Sequence, residues 1–183
     1  SIYNDFFKKY SSNYHETDNF RIHYSTPWGK LIKRDFINKF KIRFDETKYA
    51  NDVMFATLVG CKAEHVLVAD IPVYVLTERK GSLANNLCSK PGETIIRTEV
   101  ALRARKTVEE HGYIPSDEYM RFIRLLIWNK EYKDLSYLFH TIKLYSLSKW
   151  HFLNIVRDTG IRYLYLCMWL IWKDIILTLT HNE

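Results

Sequence analysis

Asp52 is a candidate general base in this sequence. It follows Asn51 and stands just before the apolar run Val53-Met54-Phe55, within a predicted helix from about Ala50 to Lys62. The helix dipole favours an ionised carboxylate near the N-terminus of a helix, and such a carboxylate can take a proton from a hydroxyl group. The other interpretation is that Asp52 only caps or solvates the helix end, and periodicity alone favours this second interpretation.

Motifs of several large enzyme classes are absent from the sequence. The seven histidines form no H-E-x-x-H pair, so a zinc hydrolase is not indicated. The sequence has no G-x-G-x-x-G, P-loop or G-x-S-x-G motif, which removes motif support for dinucleotide binding, Walker-type nucleotide hydrolysis and α/β-hydrolases. Cys61, Cys88 and Cys167 form no C-x-x-C pair, which argues against structural zinc and a disulfide framework and fits a reducing cytosol.

Composition favours long helices in a basic globular chain. Of the 183 residues, 47% are hydrophobic and 26% are charged, a balance that excludes intrinsic disorder. Only 6 Gly and 4 Pro leave few tight turns, so a barrel or sandwich of many short strands is not expected. The net charge of +6 either attracts anionic partners or only keeps the chain in solution. Because zinc-finger spacing, an RNP-like strand and runs of five like charges are missing, we expect no nucleic-acid partner.

The first 88 residues predict a mixture of strands and helices. Pro27 opens a helix whose apolar face carries Trp28 and continues to Phe40. A second helix is the one from about Ala50 to Lys62. Short runs rich in β-branched and aromatic residues predict the strands Phe20–Tyr24, Ile42–Phe44, Val66–Val68 and Val73–Leu76.

From residue 89 onward the sequence predicts helices almost to its end. Gly112 marks the end of the first of them, because glycine is common just after a helix. The predicted fold class is therefore α/β, with a mixed part over residues 1–88 and a mostly α-helical C-terminal region over residues 89–183. The helices predicted in that region are Glu93–His111, one beginning at Ser116-Asp117, Tyr132–Tyr145, Ser148–Asp158 and one after Gly160.

Four segments between residues 26 and 83 carry the strongest functional signal. They are T-P-W-G-K-L-I-K-R-D-F (26–36), I-R-F-D (42–45), N-D-V-M-F (51–55) and P-V-Y-V-L-T-E-R-K-G-S-L (72–83). In this order and spacing they resemble the C-terminal half of glycosyltransferase family 2, whose bacterial polysaccharide members carry W-x-K-L, R-F, E-D-x-x-F and Y-x-x-R-x-x-S-like segments. The resemblance implies part of a GT-A-like sheet, inversion at the anomeric carbon and a nucleotide-sugar donor.

The resemblance also implies roles for individual residues. Asp52 would be the catalytic base that takes the proton of the acceptor hydroxyl. Trp28 and Asn51 would bind the acceptor, and Arg79 and Lys80 would neutralise the phosphates of the donor. The structural alternatives are a core position for Trp28 and solvated charges for Arg79 and Lys80.

Two features depart from the family pattern. The family's E-D pair is Asn51-Asp52 here, so only the aspartate is carried over. The family's N-terminal half, with its nucleotide-binding unit and the D-x-D that holds a metal, has no counterpart in the sequence. We therefore expect the chain to be the acceptor-side portion of a longer enzyme, inactive alone. Mn or Mg would be bound only in the complete enzyme, whose acceptor would be a saccharide or a lipid-linked sugar of a surface polysaccharide.

The last predicted helix supports a functional hypothesis of another class. Tyr163–Trp172 carries no charge, but Lys173-Asp174 follows, so the segment is too short and too charged to span a membrane. Its sequence favours burial in a helical core or in a homodimer interface. Its tryptophans and tyrosines are also typical of lipid interfaces, so the alternative is peripheral contact with the inner face of the membrane from the cytoplasm. The second hypothesis is therefore a non-catalytic α-helical module that binds a protein or a membrane.

Overall fold

The computed structural model of the chain describes residues 20–68, 72–75, 90, 92–158, 168–173 and 175–176. The chain divides into two compact units. Unit 1 takes its residues from Ser1–Leu87 and Arg103–Ser116, and unit 2 takes its residues from Cys88–Leu102 and Asp117–Glu183. The predicted division into a glycosyltransferase part and a helical region at residue 88 stays a prediction.

The regular secondary structure of the described residues is helical. Residues 20–23, 168–173 and 175–176 are helical, and Ile142–Tyr145 form a short 3₁₀ helix. The helices with defined bounds are α1 (Arg34–Phe40), α2 (Val53–Lys62), α3 (Glu93–Glu110), α4 (Tyr119–Trp128), α5 (Tyr132–Thr141) and α6 (Lys149–Arg157).

The predicted α/β fold with part of a GT-A-like sheet is wrong for the described part of the chain, which contains no strand. Residues 42–44, 66–68 and 73–75 have no regular secondary structure. A run of three or four β-branched residues forms a strand only where a neighbouring strand supplies the ladder of hydrogen bonds, and none lies among the described residues. Leu76, the end of the fourth predicted strand, lies outside them.

The predicted strand Phe20–Tyr24 is a helical turn instead. Residues 20–23 are helical, and the backbone N–H of Tyr24 donates to the carbonyl of Phe20 at 3.0 Å. The rings of these two residues stack with 5.2 Å between their centroids. Residues four positions apart are neighbours on a helix but are about 13 Å apart along a strand, so this ring contact is available only to the helical turn.

Helix α1 begins later than the sequence predicts. Gly29 has a φ of 79°, a left-handed backbone conformation that interrupts a helix opened at Pro27. Leu31, which was expected on the buried face, is fully exposed. Only the second half of the apolar segment from Trp28 to Phe40 is therefore helical.

Two helices, one in each unit, end in the same Schellman motif with a lysine in the left-handed conformation. At the end of α1, Lys41 has a φ of 51°, and the N–H of the next residue donates to the carbonyl of Ile37 at 3.1 Å. At the end of α4, Lys130 has a φ of 59°, and the N–H of the next residue donates to the carbonyl of Leu126 at 2.8 Å. Glycine is usual at this position because a Cβ is strained there.

Helix α2 is fixed to the helical turn at residues 20–23 through a glycine and an arginine. A Cβ on Gly60 would lie 2.2 Å from the carbonyl oxygen of Arg21, so only glycine lets the two backbones come this close. The Arg21 guanidinium donates to the carbonyl of Ala63 at 2.8 Å and to the hydroxyl of Tyr113 at 2.9 Å. Because the C-terminus of a helix attracts cations, Arg21 stabilises the end of α2.

Unit 2 is held together by an apolar core among α4, α5 and α6. Helix α6 begins after Ser148, whose hydroxyl accepts a hydrogen bond from the N–H of His151 at 3.0 Å. The helices predicted over residues 93–158 are confirmed, although Tyr132–Tyr145 is divided into α5 and the 3₁₀ helix. Among the most deeply buried core residues are Tyr119, Ile123, Leu126, Leu135, Leu138, Phe139, Ile142, Phe152 and Val156.

The last predicted helix lies partly outside the described residues. In its described part, residues 168–173 and 175–176, Leu170 is buried in the core of unit 2, whereas Trp169 and Trp172 are exposed. No helix in the described part of the chain has the length and the apolar character needed to cross a membrane.

Candidate active site

Asp52 lies just before α2, whose bounds, Val53–Lys62, confirm the predicted helix. The Asp52 carbonyl accepts a hydrogen bond from the N–H of Ala56 at 3.0 Å. Its carboxylate is partly buried but makes no capping hydrogen bond to the described first turn of α2. Capping of the helix therefore does not explain why a carboxylate stands at this position.

The backbone before Asp52 is bent and held in place. Ala50 has a φ of 54°, a conformation that costs a residue with a Cβ about 1 kcal/mol or more. The carbonyl of Asn51 accepts a hydrogen bond from the N–H of Asp45 at 3.0 Å, and the Asp45 carboxylate pairs with the Arg103 guanidinium at 2.5 Å. These contacts fix the loop and thereby position Asp52, while Asn51 itself is exposed.

Lys30 brings a positive charge to Asp52. Its ammonium donates to the carbonyl of Tyr24 at 2.5 Å and to the carbonyl of Thr26, and it lies 4.1 Å from the centroid of the Tyr24 ring. Burial lowers the pKa of Lys30 from 10.5 to about 8, and the negative charge of Asp52 opposes that change. The carboxylate and the ammonium therefore interact electrostatically, and the ammonium is fixed by the backbone of the 24–26 segment.

Three aromatic rings lie beside this charged pair. The Trp28 ring stacks on Tyr74 with 5.2 Å between centroids and an interplanar angle of 22°. The Tyr24 ring meets Trp28 edge-on at 6.4 Å, and the Tyr24 hydroxyl donates to the Trp28 carbonyl at 3.2 Å. Tyr24 thus contacts both Lys30 and Trp28, and it links the charges to the aromatic stack.

The two remaining segments of the resemblance also meet. Phe44, from I-R-F-D, stacks on Phe55, from N-D-V-M-F, with 4.2 Å between ring centroids and an angle of 2°. Offset stacking at this distance adds about 0.5–1.5 kcal/mol to the burial of the rings. The contact holds the loop after α1 against the beginning of α2, next to Asp52.

The structure brings together some of the predicted site residues. Trp28 contacts Tyr24, and Tyr24 contacts Lys30, on which the charge of Asp52 acts. Asn51 directly precedes Asp52 and is exposed. Arg79 and Lys80 lie outside the described residues, so their predicted contact with donor phosphates stays a prediction.

Sequence analysis missed the parts that Tyr24 and Tyr74 play. Both residues stood in predicted strands, and Tyr74 is one of the residues in the fourth segment of the resemblance. The signal that could have found them is the aromatic character of those two segments, because their rings pack on Trp28.

The described residues form no candidate metal centre. Among them, no three histidine, cysteine, aspartate or glutamate side chains lie close enough to hold one ion. The Mn or Mg implied by the resemblance is expected only in the complete enzyme, so that expectation stays a prediction, and no chemical step is assigned to it.

The arrangement as a whole suits proton abstraction from a hydroxyl group. Asp52, partly buried and not capping its helix, interacts electrostatically with the fixed ammonium of Lys30, and that ammonium lies over an aromatic ring. Such groups can bind and orient a polar ring compound. Comparisons of the chain with protein-family models, with curated proteins and with solved structures gave no match.

Proposed function

We propose that this chain carries the acceptor-side part of an inverting glycosyltransferase, which transfers a sugar from a nucleotide-sugar to a saccharide or glycolipid acceptor of a surface polysaccharide. The observation that carries the proposal is that all four segments of the resemblance make contacts in unit 1. Trp28 stacks on Tyr74, Phe44 stacks on Phe55, and Lys30 interacts with Asp52. Segments that serve one reaction are expected to converge in this way.

In the proposed reaction Asp52 acts on the acceptor. Its carboxylate takes the proton of the acceptor hydroxyl while that oxygen attacks the anomeric carbon of the donor sugar. The bond from this carbon to the nucleoside diphosphate breaks on the opposite face, so the configuration inverts and the diphosphate leaves with the bonding electrons. Arg79 and Lys80 are the proposed partners of the leaving phosphates.

Lys30 is a positioning residue in this proposal. Its ammonium donates to the carbonyls of Tyr24 and Thr26, so it presents a fixed positive charge to the Asp52 carboxylate. A fixed charge beside the base holds the carboxylate in one orientation before the acceptor arrives. Asn51, exposed beside the base, is available to hydrogen-bond an acceptor hydroxyl.

The decisive test is Asp52→Asn in the full-length enzyme that contains this chain. Turnover of sugar transfer should fall by about a hundredfold or more, the usual contribution of a positioned general base. The affinity for the donor should change little, because the base acts on the acceptor. The free energy of unfolding should fall only by the lost attraction between Asp52 and Lys30, since the carboxylate makes no capping bond.

Asn51→Ala is the matched control, and its effect on turnover should be smaller. Near-normal turnover in Asp52→Asn would remove this residue from the mechanism. Failure of the wild-type enzyme to transfer sugar from any of a panel of uridine, guanosine and thymidine diphosphate-sugars would overturn the proposed function itself.

A second candidate function is attachment to an anionic membrane surface, as a module without catalysis of its own. The observation that favours it is the exposure of large apolar side chains on residues 168–173 and 175–176. The ammonium of Lys173 lies 4.9 Å from the ring of Trp169, a pairing of cation and aromatic ring that suits a lipid interface. The exposed apolar residues are Met168, Trp169, Ile171, Trp172, Ile175 and Ile176.

Sedimentation with vesicles tests this second function. The chain should sediment at low salt with vesicles that contain phosphatidylserine and should stay in solution with pure phosphatidylcholine. Trp172→Ala should weaken the binding, whereas Trp128→Ala, which removes another exposed tryptophan of unit 2, should leave it unchanged. If the wild-type chain does not sediment with the anionic vesicles, the membrane function is excluded.

A further inference from the structure

We infer that Tyr74, and not Trp28, provides the ring on which the acceptor sugar stacks, and that Trp28 supports Tyr74 from behind. This inference rests on the proposed function and names the part of the acceptor that the site recognises. It changes the role of Trp28 from a binding residue to a positioning residue.

One face of the Trp28 indole is occupied by another ring. The Tyr74 ring stacks on it with 5.2 Å between ring centroids and an interplanar angle of 22°, and the Tyr24 ring meets it edge-on with 6.4 Å between centroids. The backbone of Trp28 is also fixed, since its carbonyl accepts the Tyr24 hydroxyl. The next residue, Gly29, has a φ of 79°, and a Cβ there would lie 2.9 Å from the same hydroxyl. Trp28 is therefore built into the structure as a support.

Tyr74 has the complementary properties. It is 55% exposed although its ring stacks on Trp28, so a large part of this residue is open to a ligand. Its neighbours Val73 and Val75 are also exposed, so the segment 73–75 presents apolar residues to solvent. A flat ring backed by a second ring loses little conformational entropy on binding, because its orientation is already fixed.

The chemistry of the surface selects its ligand. A pyranose with mainly equatorial hydroxyls, of the glucose or galactose type, presents C–H bonds on one face, and these pack against the electron-rich face of an aromatic ring. The hydroxyl groups of the sugar then point outward around the rim of the ring, toward solvent. The acceptor class that the site recognises is therefore a neutral pyranoside, bound through its C–H face.

The test is titration of the 183-residue chain with methyl glycosides and disaccharides of glucose, galactose and N-acetylglucosamine, followed by NMR. Tyr74→Ala should raise the Kd of the best ligand by about five- to tenfold, because a stacked ring contributes on the order of 1 kcal/mol. Tyr74→Phe, which keeps the ring, should stay within about twofold of the wild type. Tyr132→Ala is the matched control, since it removes another exposed tyrosine that lies in unit 2.

The outcomes separate this inference from the function on which it rests. If Trp28 were the platform, Tyr74→Ala would uncover it and tighten the binding. An unchanged or lower Kd in Tyr74→Ala would overturn the role of Tyr74 and leave the proposed acceptor function standing. If no pyranoside binds the wild-type chain, both the inference and the acceptor function fall.

Discussion

Unit 1 and unit 2 are stabilised in different ways. Unit 2 has an apolar core in which the side chains of α4, α5 and α6 are almost completely buried, Phe139 and Phe152 among them. Unit 1 also buries apolar residues such as Ile42, Ala56 and Val59. In addition, it has partly exposed ring pairs such as Phe44 with Phe55 and charged side chains that donate to backbone carbonyls. Arg21 and Lys30 are the clearest cases.

The difference shows where the molecule can carry function. A buried apolar core contributes stability but offers no groups for chemistry, whereas unit 1 holds a carboxylate, an ammonium and exposed rings close together. Such polar and aromatic contacts contribute less free energy per residue, so unit 1 should open more readily than unit 2. The predictions below test that contrast.

The largest expected effect comes from removing the same ring in each unit. Phe139→Ala should destabilise unit 2 by about 3–5 kcal/mol, because it leaves a cavity at a side chain that is 1% exposed. Phe44→Ala should destabilise unit 1 by only about 1 kcal/mol, since that ring is 50% exposed and loses little beyond its stack on Phe55.

Hydrogen exchange followed residue by residue measures the two effects separately, which a single melting temperature cannot do for a chain of two units. Phe139→Leu, which keeps most of the volume, serves as the control and should cost much less than Phe139→Ala. Equal costs for Phe139→Ala and Phe44→Ala would contradict the contrast between the units.

A smaller effect, about 1–3 kcal/mol, is expected from Gly60→Ala in unit 1. Alanine would normally strengthen a helix, but here its Cβ would lie 2.2 Å from a backbone oxygen of Arg21, which cannot move aside as a side-chain end could. The amide NMR signals of residues 20–24 should shift, and those of unit 2 should not. A stabilised Gly60→Ala variant with unshifted signals would show that the two backbones do not come this close.

The same contrast explains how much of the fold the sequence revealed. Helices α4 to α6 were predictable because their apolar residues follow a 3.6-residue period, and Gly112 and Ser148 mark the end of α3 and the start of α6. These signals are local. In unit 1 the deciding contacts join residues far apart in the chain, such as Arg21 with Tyr113, 92 positions away. The predicted strands failed for this reason.

The candidate site was predictable to a similar, partial extent. Asp52 and Trp28 came from segments whose residue types resemble a known family, and the structure links them only through Tyr24 and Lys30. The role of Tyr74 could not be predicted, because it depends on a stack with a residue far away in the chain. Lys30 also escaped assignment, since only burial and the nearby Asp52 distinguish it from a solvated lysine.

A third expected effect is a pH dependence of stability that comes from a charged side chain of unit 1. The pKa of Lys30 is about 8 in the folded chain and 10.5 ordinarily, so the folded state loses this proton first as the pH rises. Lys30 therefore makes the folded state more stable between about pH 8 and pH 10.5 than below pH 8. Lys30→Met removes that part of the pH dependence.

Urea unfolding of both proteins at several pH values in this window gives the readout. The difference in unfolding free energy between the wild type and Lys30→Met should grow in favour of the wild type from pH 8 to pH 10.5. Other lysines and tyrosines titrate in both proteins and cancel in the difference. A difference that does not change with pH would show that Lys30 is not desolvated.

The smallest expected effect concerns the left-handed lysine that ends a helix in each of the two units. Lys41 and Lys130 occupy the same left-handed position after α1 and α4, with φ values of 51° and 59°. In this conformation a Cβ destabilises the folded chain by about 1–2 kcal/mol, which a change to glycine removes. Glycine also has more conformational freedom in the unfolded chain, which offsets about 0.5–1 kcal/mol of that gain, so each change should stabilise its unit by roughly 0.5–1 kcal/mol. Gly112→Ala, the reverse change at a φ of 79°, should destabilise by a similar amount. Because the strain is local, Lys41→Gly and Lys130→Gly should raise the stability of their units by equal amounts, measured by protection from hydrogen exchange, even though the surrounding cores differ. Unequal gains would mean that the packing around a helix end, and not its backbone conformation, sets the cost.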